Sequence, residues 1–429
     1  MLNASTAVRH LGYPNALPVI PVNTPWTPVM DNRSPNQTYV IPEIQKTQDE
    51  FIRIRRQIHA HPELGFEEVE TSRLVAANLK EWGYEVHEGM GGTGVVGRLK
   101  LGDSPKSIGL RADMDALPIE EATGLSYASK FVGKMHACGH DGHTAILLAA
   151  AHYLAKTRRF SGTLNLIFQP AEEGQGGALR MMADGLFERF PCDGIYALHN
   201  TPGLPVGMFA VLPGAVAASS DTVTITLKGK GAHGAKPHFG HDPIVAAASL
   251  VMALQTIVSR NVPASEAAVV TVGAIHAGNA HNVIPEQATL LLTVRAMDHA
   301  VRALLERRIR ELSESHALSF GVTAEIEYNY VTSVLVNTEK ETAIARAVIL
   351  AQVGEKNIFT PPRNMQNMGG EDFSWMLEKV PGCYVALGNG VGEFGGCMNH
   401  NPGYDFNDEA LPVGASYWAN LVEHYLKKD

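Results

Sequence analysis

A chain of 429 residues is longer than one ordinary hydrophobic core can serve, so two domains are expected. Hydrophobic residues at 45% and charged residues at 18% suit a well-packed soluble protein and exclude a wholly disordered one. With 35 basic residues against 44 acidic, the net charge of -9 argues against a broad nucleic-acid surface. The four cysteines, Cys138, Cys192, Cys383 and Cys397, are too few and too scattered for a disulfide framework, which predicts a reducing, cytoplasmic compartment. Residues 1–42 hold seven of the 24 prolines and very little charge. Pro18 and Pro21 break the one apolar stretch that would suit a secretory signal, Ala16 to Val22, so a flexible or surface-hugging arm is expected. No segment reads as membrane-spanning. The most apolar run, Ala145–Ala155, is interrupted by His152 and Tyr153 and falls well short of about 20 residues.

Regular structure begins near Glu43. Ile44, Phe51, Ile54 and Ile58 recur at helical spacing as far as His59, and Pro62 ends the pattern. A second helix puts Leu74, Val75 and Leu79 inward and stops at Gly83. The apolar runs Gly94–Leu99, Ser107–Ala112, Thr163–Phe168 and Gly194–Leu198 predict strands, with helical stretches such as His143–Leu154 between some of them. That alternation predicts an α/β sheet with parallel strands. The pattern changes after Gly207: strand Thr222–Lys228, helix Asp242–Ser259, strands Ala267–Ile275 and Ala288–Ala296, helix His299–His316, strand Val322–Tyr328. This β-α-β-β-α-β order is the ferredoxin-like unit. Helix and strand alternate again through Leu426, so the small domain is inserted into the large one, and no fixed-period repeat is present.

The densest polar cluster is Met135-His136-Ala137-Cys138-Gly139-His140-Asp141-Gly142-His143. Cys and His both ligate zinc-like metals, which favours a metal site. A nucleophilic Cys beside His competes, but proximity in sequence does not make a dyad and no papain-type signature surrounds it. The adjacent carboxylates Glu172 and Glu173 follow a buried strand, at the edge where open α/β sheets bind ligands. Successive side chains diverge, so one can hold metal while the other faces an attacking water. A solvated helix start is the alternative reading of the pair. His199 ends another strand, and His400 lies in a Gly-rich loop before the last helix. Together these residues supply one thiolate, one carboxylate and three imidazoles, enough for two metals with open positions. Asp113 and Asp115 end a further strand, where they would orient ligating histidines.

These motifs resemble the M20 metallopeptidase superfamily, specifically its amidohydrolase branch of hippurate hydrolases, N-acyl-amino-acid amidohydrolases and plant auxin-conjugate hydrolases. The resemblance rests on RQIHAHPELGF (Arg56–Phe66), RADMDALPIEE (Arg111–Glu121), MHACGHDGH (Met135–His143), QPAEEG (Gln169–Gly174), GAHGAKPH (Gly231–His238), NVIP (Asn282–Pro285), GGEDF (Gly369–Phe373) and HNPGYDFND (His400–Asp408). It implies that Cys138 bridges two metals, with His140, Glu173, His199 and His400 completing the ligands. Glu172 would be general base and then acid, and Asp115 would support the site. His233 would reach the partner subunit's active site and stabilise the oxyanion. Asn282 and Arg295 would lie near the substrate carboxylate, helped by backbone amides at Gly369 and Gly370. Gly234 and Lys236 depart from the small non-glycine and apolar residues expected in the lid, which bears on lid geometry and acyl preference.

The resulting expectation is an α/β, zinc-peptidase-like catalytic domain with an inserted ferredoxin-like α+β dimerisation or lid domain. Its borders are a Pro-rich arm over 1–42, catalytic segments over 43–210 and 329–429, and the insertion over 211–328. The expected reaction is metal-dependent hydrolysis of N-acyl or N-aroyl amino acids, using two divalent ions drawn from zinc, manganese, nickel or cobalt. A dipeptidase or aminoacylase of the same superfamily, or a non-catalytic binding relative, is the alternative. Partners are the small-molecule substrate and further copies of the chain in a homodimer or homotetramer, with neither nucleic acid nor membrane.

Overall fold

A computed structural model describes residues 40–361, 367–393 and 395–428. The expected arm over 1–42 falls almost wholly outside them. The first helix runs Pro42–His59, with Pro42 in the first turn, where a missing N–H costs nothing. Ile44, Phe51 and Ile58 on its inner face are buried.

The large sheet has eight strands. In spatial order they are Glu85–Met90, Gly94–Leu101, Gly162–Gln169, Ser107–Asp113, Gly194–Pro202, Gly382–Gly390, Phe209–Ala210 and Ile358–Phe359. The sheet is mixed, which corrects the expectation of parallel strands. The central four, from Gly162–Gln169 to Gly382–Gly390, run parallel to one another, and the short pair Phe209–Ala210 and Ile358–Phe359 is parallel within itself but antiparallel to Gly382–Gly390. Gly94–Leu101 is antiparallel to both of its neighbours. A three-residue turn with Gly91 at φ 66 and Gly92 at φ 108 joins it to Glu85–Met90, and so short a link permits only antiparallel pairing. Glu85–Met90 was not foreseen. It is an edge strand carrying Glu85, His87 and Glu88, with one residue of six buried, so it lacks the apolar signature.

The helix His140–Thr157 is buried on nearly every face and packs against both the first helix and the last, Ala410–Tyr425. It carries the start of the Cys/His cluster into the interior. The four parallel strands deliver Asp113, the Glu172–Glu173 turn, His199 and the loop toward His400 to one sheet edge, the carboxyl-end position that favours ligand sites.

The second sheet is antiparallel throughout, in the spatial order Ala268–Ala277, Gln287–Ala296, Ser219–Lys228, Thr323–Thr332. Helices Pro243–Asn261 and His299–Ser319 pack on it, giving the expected ferredoxin-like unit. Its strands lie between Ser219 and Thr332, a few residues C-terminal to the expected 211–328. Phe209–Ala210 still belongs to the large sheet, and Gly214–Ala217 pairs with Leu335–Asn337 at the junction. The Pro243–Asn261 helix is long and apolar enough by composition to cross a membrane, a segment the sequence reading passed over. Here Leu250, Leu254 and Ile257 bury against the lid sheet, each contributing roughly 1.5–3 kcal/mol. Asp242 caps it by accepting from Ile244 N at 2.8 Å.

Candidate metal centre

Cys138 immediately precedes the buried helix, with Gly139 at φ 93 making the turn. A side chain at Gly139 would meet Asn200 Oδ1 at 2.3 Å, so only glycine lets the helix start this close to the His199 strand. The turn places Cys138 Sγ 3.4 Å from His199 Nε2.

The five expected ligands fall into two groups that share the thiol. Cys138, His140 and His199 have ligand atoms within 4.8 Å of one another, and so do Cys138, Glu173 and His400. This is the arrangement a bridging thiolate between two cations requires. The histidines are held so that one nitrogen stays free. His140 Nδ1 donates to Asp115 Oδ1 at 3.1 Å, and its buried Nε2 has no hydrogen-bond partner. His199 Nδ1 donates to the Asn200 carbonyl at 2.7 Å, leaving Nε2 toward Cys138. Burial first, then His143, pushes the His199 pKa well down, which keeps the ring in the neutral, ligating form. His400 adopts φ 61, a left-handed conformation uncommon outside glycine, and places Nε2 3.2 Å from Glu173 Oε1. That pair lacks hydrogen-bond geometry, and Glu173 Oε1 is also a buried orphan.

Orphaned lone pairs on His140 and Glu173 beside a shared thiol fit a metal pair better than any purely structural account. The electrostatics agree. Although burial opposes it, Asp113 and Cys138 raise the His140 pKa well above the usual histidine value, so the pocket favours positive charge. Burial pushes the unligated Cys138 thiol up to about 12, whereas a coordinated thiol gives up its proton. Thiolate, imidazole and carboxylate donors together suit zinc-type ions.

Beside the His140, Glu172 and Glu173 group of this same pocket, two further clusters lie within the same distances but are largely committed to other partners. Asp113, His140 and His143 form one of them. His143 is engaged on both nitrogens, by Asp113 Oδ1 at 2.6 Å and by the backbone N–H of Asn200 at 3.0 Å. Asp113 thus orients His143, a neighbour of the candidate ligands, while Asp115 bonds the ring of the candidate ligand His140. Glu172, Glu371 and Asp372 form the other. Its charge is met by the buried Arg111 guanidinium, 3.0 Å from Glu371 Oε1, 3.2 Å from Asp372 Oδ1 and 2.7 Å from Asp113 Oδ2. Burial, then Glu371 and Glu173, raises the Glu172 pKa well above the usual carboxylate range. The backbone N–H of Asp372 donates to Glu172 Oε1 at 3.3 Å.

The lid residues are arranged differently. His233 pairs with Val283, is exposed, and accepts from Ala235 N through Nδ1 at 3.0 Å, leaving Nε2 outward. Gly234 N donates to the Asn282 carbonyl at 2.7 Å, so His233 and Asn282 are neighbours. A Cβ at Gly234 would meet the Asn282 backbone at 3.1 Å, which accounts for glycine there. The described contacts do not bring either residue to the Cys138 cluster. Arg295 is half-buried, and it is paired across the sheet with Ser220. A Cβ at Gly370 would meet Ser220 Cβ at 2.9 Å, so Arg295 and Gly370 flank the same residue, with Gly369 beside them.

Arg55, Glu68, Arg111, Glu371 and Asp372 received no role from sequence reasoning. Arg55 is fully buried, pairs with Asp141 at 2.7 Å and also with Asp405. It thereby ties the ligand helix to the loop beyond His400. Arg111, Glu371 and Asp372 lie inside recognised motifs, and a charged residue within an otherwise apolar strand was the available signal. His136, central to the sequence cluster, is buried with both nitrogens unpartnered and stands outside both ligand groups.

A family model described as peptidase family M20/M25/M40 matches residues 109–424. The chain belongs to this family. It is 48% identical over 388 residues to a hippurate hydrolase of Campylobacter jejuni, covering 90% of this chain and 100% of that one. It is 36% identical to an IAA-amino acid hydrolase of Arabidopsis thaliana, covering 94% and 92%. Among solved structures, a dinuclear metal-binding M20 peptidase of Bacillus subtilis superposes with a TM-score of 0.77 at 34% identity, covering 89% of this chain and 99% of that one. M20 membership and this likeness accord with the two-domain expectation and with a divalent-metal centre.

Proposed function

We propose that this M20 enzyme hydrolyses the amide bond of N-acyl and N-aroyl amino acids, releasing a carboxylic acid and a free amino acid. The observation that carries the reading is the pair of ligand groups sharing Cys138, with the Glu172 carboxyl within 4.8 Å of ligand atoms of His140 and Glu173. Relatives named as a hippurate hydrolase, an N-acetyl-L-cysteine deacetylase and an IAA-amino acid hydrolase support the substrate class.

Cys138, His140, Glu173, His199 and His400 would hold two divalent cations, with zinc, manganese, nickel and cobalt all compatible with the donors. When bound, such a pair acidifies the attacking water and polarises the scissile carbonyl. Glu172 accepts the proton of that water on its carboxylate and later delivers it to the leaving nitrogen. Burial and the neighbouring Glu371 and Glu173 raise its pKa from the usual carboxylate range, the direction that a group taking and returning one proton needs. The Asp372 N–H fixes the orientation of the carboxylate. Arg295 and Asn282, with the amides of Gly369 and Gly370, would receive the substrate carboxylate. His233 would donate from Nε2 to the oxyanion of a partner subunit. The exposed Ile244, Val245 and Met252 on the outer face of the lid helix support self-association.

The test is amino-acid release by chelator-stripped protein, with and without added zinc or manganese. The panel spans acetyl, benzoyl, long-chain acyl and indole-acetyl amino acids plus dipeptides. Metal-dependent release from acyl amino acids is the expected result. Release from dipeptides alone would move the assignment to a dipeptidase, and no release from folded, metal-loaded protein would overturn it.

A further inference from the structure

The turn that carries Glu172 and Glu173 is both strained and buried. Ala171 adopts φ 53, a left-handed conformation that costs an L-residue free energy, and its side chain is fully buried. A strained peptide persists only where its surroundings over-determine it. Here the backbone of the turn is held at several points. The Ala171 carbonyl accepts from Gly177 N at 3.0 Å. The Glu173 N–H donates to Asp115 Oδ2 at 3.0 Å, and the Glu172 carboxylate accepts from Asp372 N.

The Ala171 N–H, at the strained residue itself, donates to Glu68 Oε1 at 2.8 Å. Glu68 lies more than 100 residues earlier, immediately before the Val69–Glu81 helix, and is fully buried. Its other oxygen accepts from Thr93 Oγ1 at 2.5 Å, and Ser72 in turn donates to the Thr93 carbonyl. Glu68 is not one of the expected ligands. A buried carboxyl with both oxygens committed, one of them to the strained peptide next to the base, has a single evident use. We infer that Glu68 is a positioning residue, holding the Ala171 peptide in its left-handed conformation and so setting where Glu172 and Glu173 point.

The inference rests on the hydrolase reading above, in which Glu172 is the base. Neither hydrogen bond requires a charged carboxyl, since both partners donate to oxygen. In Glu68→Gln the amide oxygen keeps the Ala171 N–H and the amide nitrogen faces Thr93 Oγ1, which can accept. In Glu68→Met the Ala171 N–H is left buried and unpaired. Ala171→Gly removes the steric cost of the positive φ, so it should restore the turn in the Met background but would do nothing for a defect in general packing.

The experiment measures kcat and KM, metal stoichiometry, and amide hydrogen exchange of a peptide spanning Ala171, all on the full-length metal-loaded protein. Glu68→Gln is expected to stay within about threefold of wild-type kcat. Glu68→Met is expected to lose about 100-fold in kcat at unchanged KM and metal content, with the Ala171 amide exposed to exchange. Adding Ala171→Gly should recover about tenfold. Wild-type kcat in Glu68→Met, unaltered exchange, or an equal loss in Glu68→Gln would overturn the inference. If Glu68→Met does not fold, Thr93→Val removes one anchor of the same carboxyl. It should lower kcat about fivefold, and wild-type kcat there would overturn the inference equally. The exchange readout needs no substrate. Glu68-dependent protection in a protein that hydrolyses nothing would therefore sink the hydrolase reading and leave this one standing.

Discussion

The Cys138 pocket and the His233–Asn282 tip of the lid use similar residue types under opposite conditions. In the pocket, His140 is fully buried, Cys138 and Glu172 are 8% exposed, and most ring nitrogens and carboxylate oxygens are committed to a neighbour. At the tip, His233 and Asn282 are exposed and held mainly through backbone pairing. The pocket is pre-organised: its geometry exists before anything binds, and its uncommitted lone pairs mark what is to bind. The tip is only presented. Its side chains acquire partners when substrate or another subunit arrives, so their work should register in turnover and hardly at all in stability.

Four perturbations sharpen that contrast, the largest first. Glu172→Gln keeps the shape but cannot take a proton. Turnover should fall about 10³–10⁴-fold with metal stoichiometry unchanged, and substantial residual activity would remove Glu172 from the base role. His233→Ala should lower kcat about 10²–10³-fold while the melting temperature stays put, because the side chain is exposed. Mixing that variant with Glu172→Gln should regenerate activity if the histidine serves a partner's site, and mixtures no better than their components would place it in cis.

The third concerns the buried support of the pocket. His59 bonds Asp141 at 2.9 Å and faces Glu121. Burial lowers its pKa, but these two acids outweigh both burial and Arg55 and raise it to about 9 from 6.5. A raised folded-state pKa means stability fully present below about pH 6.5 and lost as the pH climbs through about 9. The loss should be on the order of 3 kcal/mol, read from urea midpoints at pH 6 and 9.5. His59→Gln should flatten that slope, and a slope unchanged by the substitution would show that His59 does not titrate there. The smallest effect is at the lid: Arg295→Ala should raise KM about tenfold with little change in kcat, consistent with a binding contact made equally in ground and transition states. A kcat defect of the same size would instead give Arg295 a role in the reaction itself.

Much of the site was legible because its residues cluster along the chain. The five polar residues within His136–His143 and the Glu172–Glu173 pair fall at strand and helix ends, where patterning predicts them. His199 and His400 were legible only as members of motifs in the right order, since a lone histidine at a strand end carries no such signal. Glu68, Arg55 and Arg111 were not legible as parts of the site. Each acts across a long sequence separation, and nothing local distinguishes a buried anchor from a charged residue on a solvated face.

The sequence by itself determined most element types, the inserted ferredoxin-like order and which side chains are the candidate ligands, because these follow from hydrophobic period, turn residues and donor chemistry. The tertiary structure decided which strands run antiparallel, since a short glycine turn leaves a hairpin no other option. It decided that the five candidate ligands divide into two groups around one thiol, because that division exists only where three strand ends and a helix start converge. It also decided that Asp113 serves His143, while Asp115 orients His140 and Glu68 braces the base. Hydrogen bonds are local in space, and the fold brings together residues that the chain keeps a hundred positions apart.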